Sequence, residues 1–153
     1  MAPLYALDTN VYIRALRDGR ALLELERFLL RVGPRARLHA VVAMELRAGA
    51  RTPPRAAALA DLVDAYAARD RLIVPSFDAW MQAGRVLADL AVRERFDAAA
   101  ARPSFVNDVV IAASCREAGV TLVTESHADF ARIRRRLRGF TVTAPWPGRA
   151  ARG

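Results

Sequence analysis

The chain has 153 residues, enough for one domain whose core needs no disulfide, and its 54% hydrophobic, 7% aromatic composition makes that core aliphatic and alanine-rich. All 24 basic residues are Arg, set against 16 acids for a net charge of +8, and the absence of Lys excludes Schiff-base chemistry and a Walker-type phosphate loop. Cys115 is the only cysteine, which removes disulfide and Cys-based zinc patterns, and no apolar run nears the roughly 20 residues of a membrane helix, so a soluble, cytoplasmic protein with no membrane partner is expected.

Residues 3 to 8 predict a short buried strand, followed by a helix from Val11 to Val32 with a break near Gly19. A second strand over Arg37 to Ala40 leads into a helix from Val41 to Ala50 that stops before Thr52-Pro53-Pro54. Ala56 to Arg69 has aliphatic residues at helical spacing, and Leu72 to Val74 predicts a strand ending at Pro75. Ser76 or Asp78 caps a helix running from Ala79 to Arg95, with Trp80, Ala83, Leu87 and Leu90 on its packed face. Phe96 to Ser104 is a loop or a frayed helix end. Ser104 or Asn107 then caps a helix from Asp108 to Glu117, which Gly119 terminates. Thr121 to Val123 is a strand, Asp129 to Leu137 a helix and Phe140 to Thr143 a last strand, while Pro145 to Gly153 is expected to be a flexible tail. The alternation of short apolar strands with helices predicts one α/β domain over residues 1–144, an α/β/α sandwich with a mainly parallel central sheet of four to five short strands.

Four acids far apart in the chain fall in segments expected to be buried: Asp8 in LYALDTNVYI, Glu45 in VVAMELRAGA, Asp108 in FVNDVVIAAS and Asp129 in LVTESHADF. A lone buried carboxylate loses several kcal/mol of solvation, and several together repel one another. A hard divalent cation relieves both costs, which points to Mg²⁺ or Mn²⁺ and metal-assisted phosphodiester chemistry. Each acid also has a plainer role available. Asp8 and Asp129 can cap helices, Asp108 can be a first-turn acid favoured by the helix dipole, and Glu45 can pair with a buried Arg. Their joint placement at strand ends and helix starts favours a site.

The blocks LDTNVYIRAL, AMELRAGA and FVNDVVIAASCREAGVTLVTESHADFARI, in this order and spacing, resemble the PIN-domain ribonucleases, and among them the VapC-type toxins of bacterial toxin–antitoxin pairs. The stretch from Thr52 to Arg102 matches in pattern only. The resemblance implies a Mg²⁺- or Mn²⁺-dependent endoribonuclease with Asp8, Glu45 and Asp108 on three invariant acids. Many relatives carry Asp or Asn two positions after the last block's threonine, where this chain has Ser126; Glu125 or Asp129 then supplies the fourth charge, or Ser126 replaces it. Thr9, Asn10 and Asn107 would be supporting polar groups, and Arg14 and Arg47 candidate phosphate clamps. The resemblance further implies an RNA substrate, a small cognate antitoxin, a homodimer and toxin–antitoxin hetero-oligomers, with Leu22, Leu29, Trp80 and Met81 as contact candidates that could equally be core.

His39 in a short strand is expected to be structural, His127 near Asp129 could touch substrate, and Cys115 is most simply a packed side chain. A phosphatase that phosphorylates an aspartate at the end of its first strand wants a second acid where this chain has Asn10, and usually a Lys; a receiver domain needs an acidic pair and a Lys. The non-enzymatic alternative is an Arg-rich RNA- or protein-binding module on a degenerate version of the same fold.

Overall fold

A computed structural model describes residues 2–95, 97 and 101–148. Five parallel strands form the central sheet: β1 (Leu4–Leu7), β2 (Ala36–His39), β3 (Leu72–Ile73), β4 (Val120–Val123) and β5 (Val142–Thr143), in the order β3-β2-β1-β4-β5. Seven helices connect them: α1 (Thr9–Arg17), α2 (Gly19–Val32), α3 (Ala40–Gly49), α4 (Pro53–Ala67), α5 (Phe77–Glu94), α6 (Pro103–Glu117) and α7 (His127–Arg136). The chain steps from β1 to β2 and β3 on one side, then returns to β4 and β5 on the other. Right-handed crossovers therefore put α1 to α4 on one face and α5 to α7 on the opposite face. With both faces covered, the central strands bury apolar residues at their middles: Ala6, Leu38 and Leu122 are wholly buried.

Local chemistry sets most element ends. Asp18 breaks the first helix into α1 and α2, its carboxylate accepting from the Arg20 N–H at 2.9 Å. Gly33 closes α2 at φ 53°, a conformation that disfavours a Cβ. Ser76 caps α5 through the Ala79 N–H at 3.0 Å while its hydroxyl donates to both carboxylate oxygens of Glu117, tying α5 to α6. Glu94 and Asp89 on α5 hold Arg132 and Arg136 on α7.

Four expectations are corrected. Prolines 53 and 54 start α4 instead of standing before it, because a first helical turn needs no N–H from them. For the same reason Pro103 starts α6 five residues before Asp108, so neither Ser104 nor Asn107 is its cap. Trp80 is 53% exposed, and the packed face of α5 runs through Ala79, Ala83, Val86 and Leu90. Residues 145–148, expected in the tail, lie against α2: Trp146 stacks on Phe28 with ring centroids 5.0 Å apart, and its Nε1–H donates to Glu24 at 3.2 Å. Part of the loop expected over Phe96 to Ser104, and residues 149–153, lie outside the described residues.

Candidate functional site

The strand order reverses between β1 and β4, and their carboxyl ends open a crevice of the kind in which parallel sheets hold ligands. Asp8 follows β1 and Thr124 follows β4. Asp8 is only 4% exposed, yet each of its carboxylate oxygens is engaged. Oδ1 accepts the Thr9 N–H at 2.8 Å, capping α1, and Oδ2 accepts the Thr124 hydroxyl at 2.6 Å and the Asn10 amide at 3.2 Å. Capping and site placement are thus the same arrangement. Asn10 also donates to Ser126 Oγ at 2.9 Å, and Thr124 Oγ1 accepts the Ser126 N–H at 3.0 Å. Thr124, wholly buried, is the residue sequence reasoning passed over; it is the threonine that opens the T-x-x-x-x-D-F block, and it touches Asp8 across 116 residues of chain.

Glu45 comes from α3 and is partly buried; its Oε1 accepts the Thr9 hydroxyl at 2.8 Å, so Thr9 links the Asp8 backbone turn to the second acid. No ion pair to an Arg forms at Glu45 among the described residues. Asp108 stands in the second turn of α6, not its first, so the helix dipole is not what places it there. Burial, and then the charges of Asp8, Asp129 and Glu45, push its carboxyl up to about 8, with partial relief from Arg102. The acid of Asp8 is likewise raised, by burial first and by Glu45, against the lowering effect of its bonds to Thr124 and Thr9. Asp129 enters the same field from the first turn of α7, where Arg102 pairs with it at 3.3 Å.

The four acids named from sequence are therefore electrostatic neighbours. Among the described residues, no three of the His, Cys, Asp and Glu side chains meet closely enough to grip one ion as they stand. The donor set nonetheless fits Mg²⁺ or Mn²⁺: oxygen donors only, and a carboxyl that keeps its proton at neutral pH until positive charge is supplied.

The other named residues separate. Glu125, expected as a possible fourth ligand, and Arg14, expected as a phosphate clamp, form an ion pair with each other on a largely exposed surface. Arg47 is exposed on α3, and Asn107 is partly buried on α6 beside Asp108. His39 Nδ1 accepts the Val41 N–H at 3.0 Å as the cap of α3, and burial holds the ring down at about 4, neutral and unsuited to proton transfer at neutral pH. Cys115 is wholly buried, its thiol pushed up to about 12 by burial. Leu22, Trp80 and Met81 are exposed, and Leu29 is partly buried against the core.

The PIN domain family model matches residues 5–136. No curated protein matches the chain. Among solved structures, a DNA-bound VapBC from Salmonella typhimurium aligns with a TM-score of 0.69 at 20% identity, over 94% of this chain and 98% of that one. FitAcB from Neisseria gonorrhoeae aligns at 0.65 and 20% identity, over 94% and 99%. VapBC-1 from nontypeable Haemophilus influenzae aligns at 0.62 and 21% identity, over 92% and 97%.

Proposed function

The chain belongs to the PIN domain family, and from that premise we propose that it is a Mg²⁺- or Mn²⁺-dependent endoribonuclease, the toxin of a VapC-type toxin–antitoxin pair acting in the cytoplasm. The observation that carries the proposal is the convergence of Asp8, Glu45, Asp108 and Asp129 at the sheet's switch point, with Asp108 raised to about 8 by its neighbours. PIN domains are nucleases as a rule, and an all-carboxylate site with no Lys and no Ser or Cys nucleophile suits hydrolysis by water. A bound divalent ion would lower the pKa of that water and neutralise charge on the scissile phosphate.

The chain's own residues supply the rest. Asp8, Glu45 and Asp108 would hold the ion, with Asp129, whose charge already acts on Asp108, as the fourth acid. Thr124, Thr9 and Asn10 fix the rotamers of Asp8 and Glu45, so those carboxylates need little reordering to act. Ser126 holds Asn10 in place, and Asn107 precedes Asp108 on α6.

For the partner, a groove of about 350 Å³ runs between α1, α2, α3 and α4, lined by Leu16, Leu22, Leu46 and Leu59 and reaching Glu45. Its dimensions and apolar lining suit an amphipathic helix of an antitoxin, whose end would lie against the acid cluster. The VapBC and FitAcB likenesses support that choice of partner. The test is cleavage of total RNA by purified protein with Mg²⁺ or Mn²⁺ and with EDTA, beside a folded Asp8→Asn variant. Metal-dependent cutting that disappears in the variant is expected. No cutting of any RNA, together with no metal binding by calorimetry, would leave a binding module instead.

A further inference from the structure

A second cavity, of about 490 Å³, lies between α7 and the edge strand β5. His127, Phe130, Arg134, Arg135, Thr143 and Ala144 are among the residues that line it. It is joined to the acid cluster through one peptide: Thr124, whose hydroxyl holds Asp8, donates its N–H to the Thr143 carbonyl at 3.0 Å. His127, in the cavity lining, is three residues beyond Thr124. From there α7 runs back along the sheet, and seven residues of helix carry the cavity wall roughly 10 Å from His127 to Arg134.

The run Arg132-Ile133-Arg134-Arg135-Arg136 divides its cations between two jobs. Arg132 and Arg136 turn to α5 and are bound by Glu94 and Asp89. Arg134 and Arg135 are exposed, line the cavity, and have no carboxylate partner among the described residues. Because Leu122 and Thr124 take the Thr141 and Thr143 carbonyls, strand alternation turns the N–H groups of Val142 and Ala144 outward, on the open edge of the sheet. Exposed guanidinium forks and outward backbone donors along a cavity whose Thr143 is hydrogen-bonded to Thr124, the residue that holds Asp8, suit a row of phosphates.

We propose that this channel between α7 and β5 binds the RNA strand flanking the scissile bond, with Arg134 and Arg135 contacting backbone phosphates outside the cluster. The proposal rests on the nuclease assignment above and adds to it which way the strand leaves the site.

The experiment compares three proteins: the natural chain, an Arg134→Gln/Arg135→Gln variant, and an Arg69→Gln/Arg85→Gln control that removes the same two charges from other surfaces. Each is assayed for cleavage, and each is rebuilt on Asp8→Asn for titration of a labelled single-stranded RNA oligonucleotide over a range of salt. Losing two phosphate contacts lowers the slope of log affinity against log salt by about 1.4, at about 0.7 per contact on single strands, and weakens binding roughly tenfold at low salt. KM rises while kcat is kept, and the control moves neither. Equal losses in the control and the cavity variant would mean that only net charge matters and would overturn the proposal. Unchanged RNA binding with lost binding of polyglutamate would assign the channel to an acidic protein segment, again overturning it while RNA cleavage stands. Failure of the natural chain to cut or bind any RNA would remove the nuclease assignment and this proposal together.

Discussion

The two halves of the acid cluster are built in opposite ways. On the β1–β4 side, Asp8 is buried deepest, and hydrogen bonds from Thr9, Asn10 and Thr124 satisfy it. On the helix side, Glu45 has one hydroxyl donor, Asp129 has an exposed Arg, and Asp108 is half-buried among like charges that Arg102 offsets only in part. The first half is hydrogen-bonded in place, although burial still keeps the Asp8 carboxyl above its usual range. The second is an unbalanced one, and under the proposed function an entering cation would balance it. A site of this kind keeps one ligand rigid as the reference point and leaves the others poised in charge.

Breaking the rigid half has the largest consequence. Asp8→Asn keeps the size and one acceptor but removes the charge, so cleavage of RNA should drop below detection while circular dichroism shows a folded protein, destabilised by about 1–2 kcal/mol for the donor left facing donors. Survival of metal-dependent cleavage in that variant would move the centre of the site away from β1.

Thr124→Val comes next, because it removes the hydroxyl that donates to Asp8 and accepts from Asn10 and the Ser126 N–H. Stability in urea should fall by about 2 kcal/mol, and activity by about 10–100-fold, with metal affinity weakened in step. A stability loss with full activity would show that Thr124 serves only the fold.

The unbalanced half is tested by pH. The Asp108 carboxyl lies at about 8 in the fold and at 3.8 when unperturbed, so between those values the folded protein binds more protons than the unfolded one. The metal-free protein should therefore lose stability as pH rises through that window, with the full penalty present above about 8. Asp108→Asn should flatten the dependence, which denaturant melts at successive pH values will show. Parallel curves for the two proteins would mean the acids do not couple.

The smallest effect is expected from Arg14→Gln. Its pair with Glu125 is largely in solvent, so the melting temperature should stay where it is. Cleavage should also be nearly unchanged, since Glu125 already points to Arg14 and not into the acids.

Much of this was legible from residues alone where the cause is local. Apolar strands alternate with amphipathic helices, so the α/β layers and five strands follow from periodicity. Asp18, Ser76 and Gly33 end helices for reasons contained in a few neighbouring residues. The errors came where local signals are ambiguous. A proline pair stops one helix or starts the next equally well, and Asp108 passes for a helix start because Pro103 and its neighbours resemble a loop. Trp80 fits a helical stripe by spacing, but the helix turns Ala79 inward instead.

The sequence by itself determined that Asp8 and Asp108 stand where charge is costly, because the apolar residues around each bury it, and that Glu45 and Asp129 lie at the ends of neighbouring apolar segments. Only the tertiary structure decided how those charges are shared. Thr124 reaches Asp8, Glu125 goes to Arg14, Arg102 goes to Asp129, and Arg134 and Arg135 are left open while Arg132 and Arg136 are bound. Such pairings join residues up to 116 positions apart. They depend on which strand ends and helix turns the crossovers bring together, a geometry that no local stretch of sequence contains.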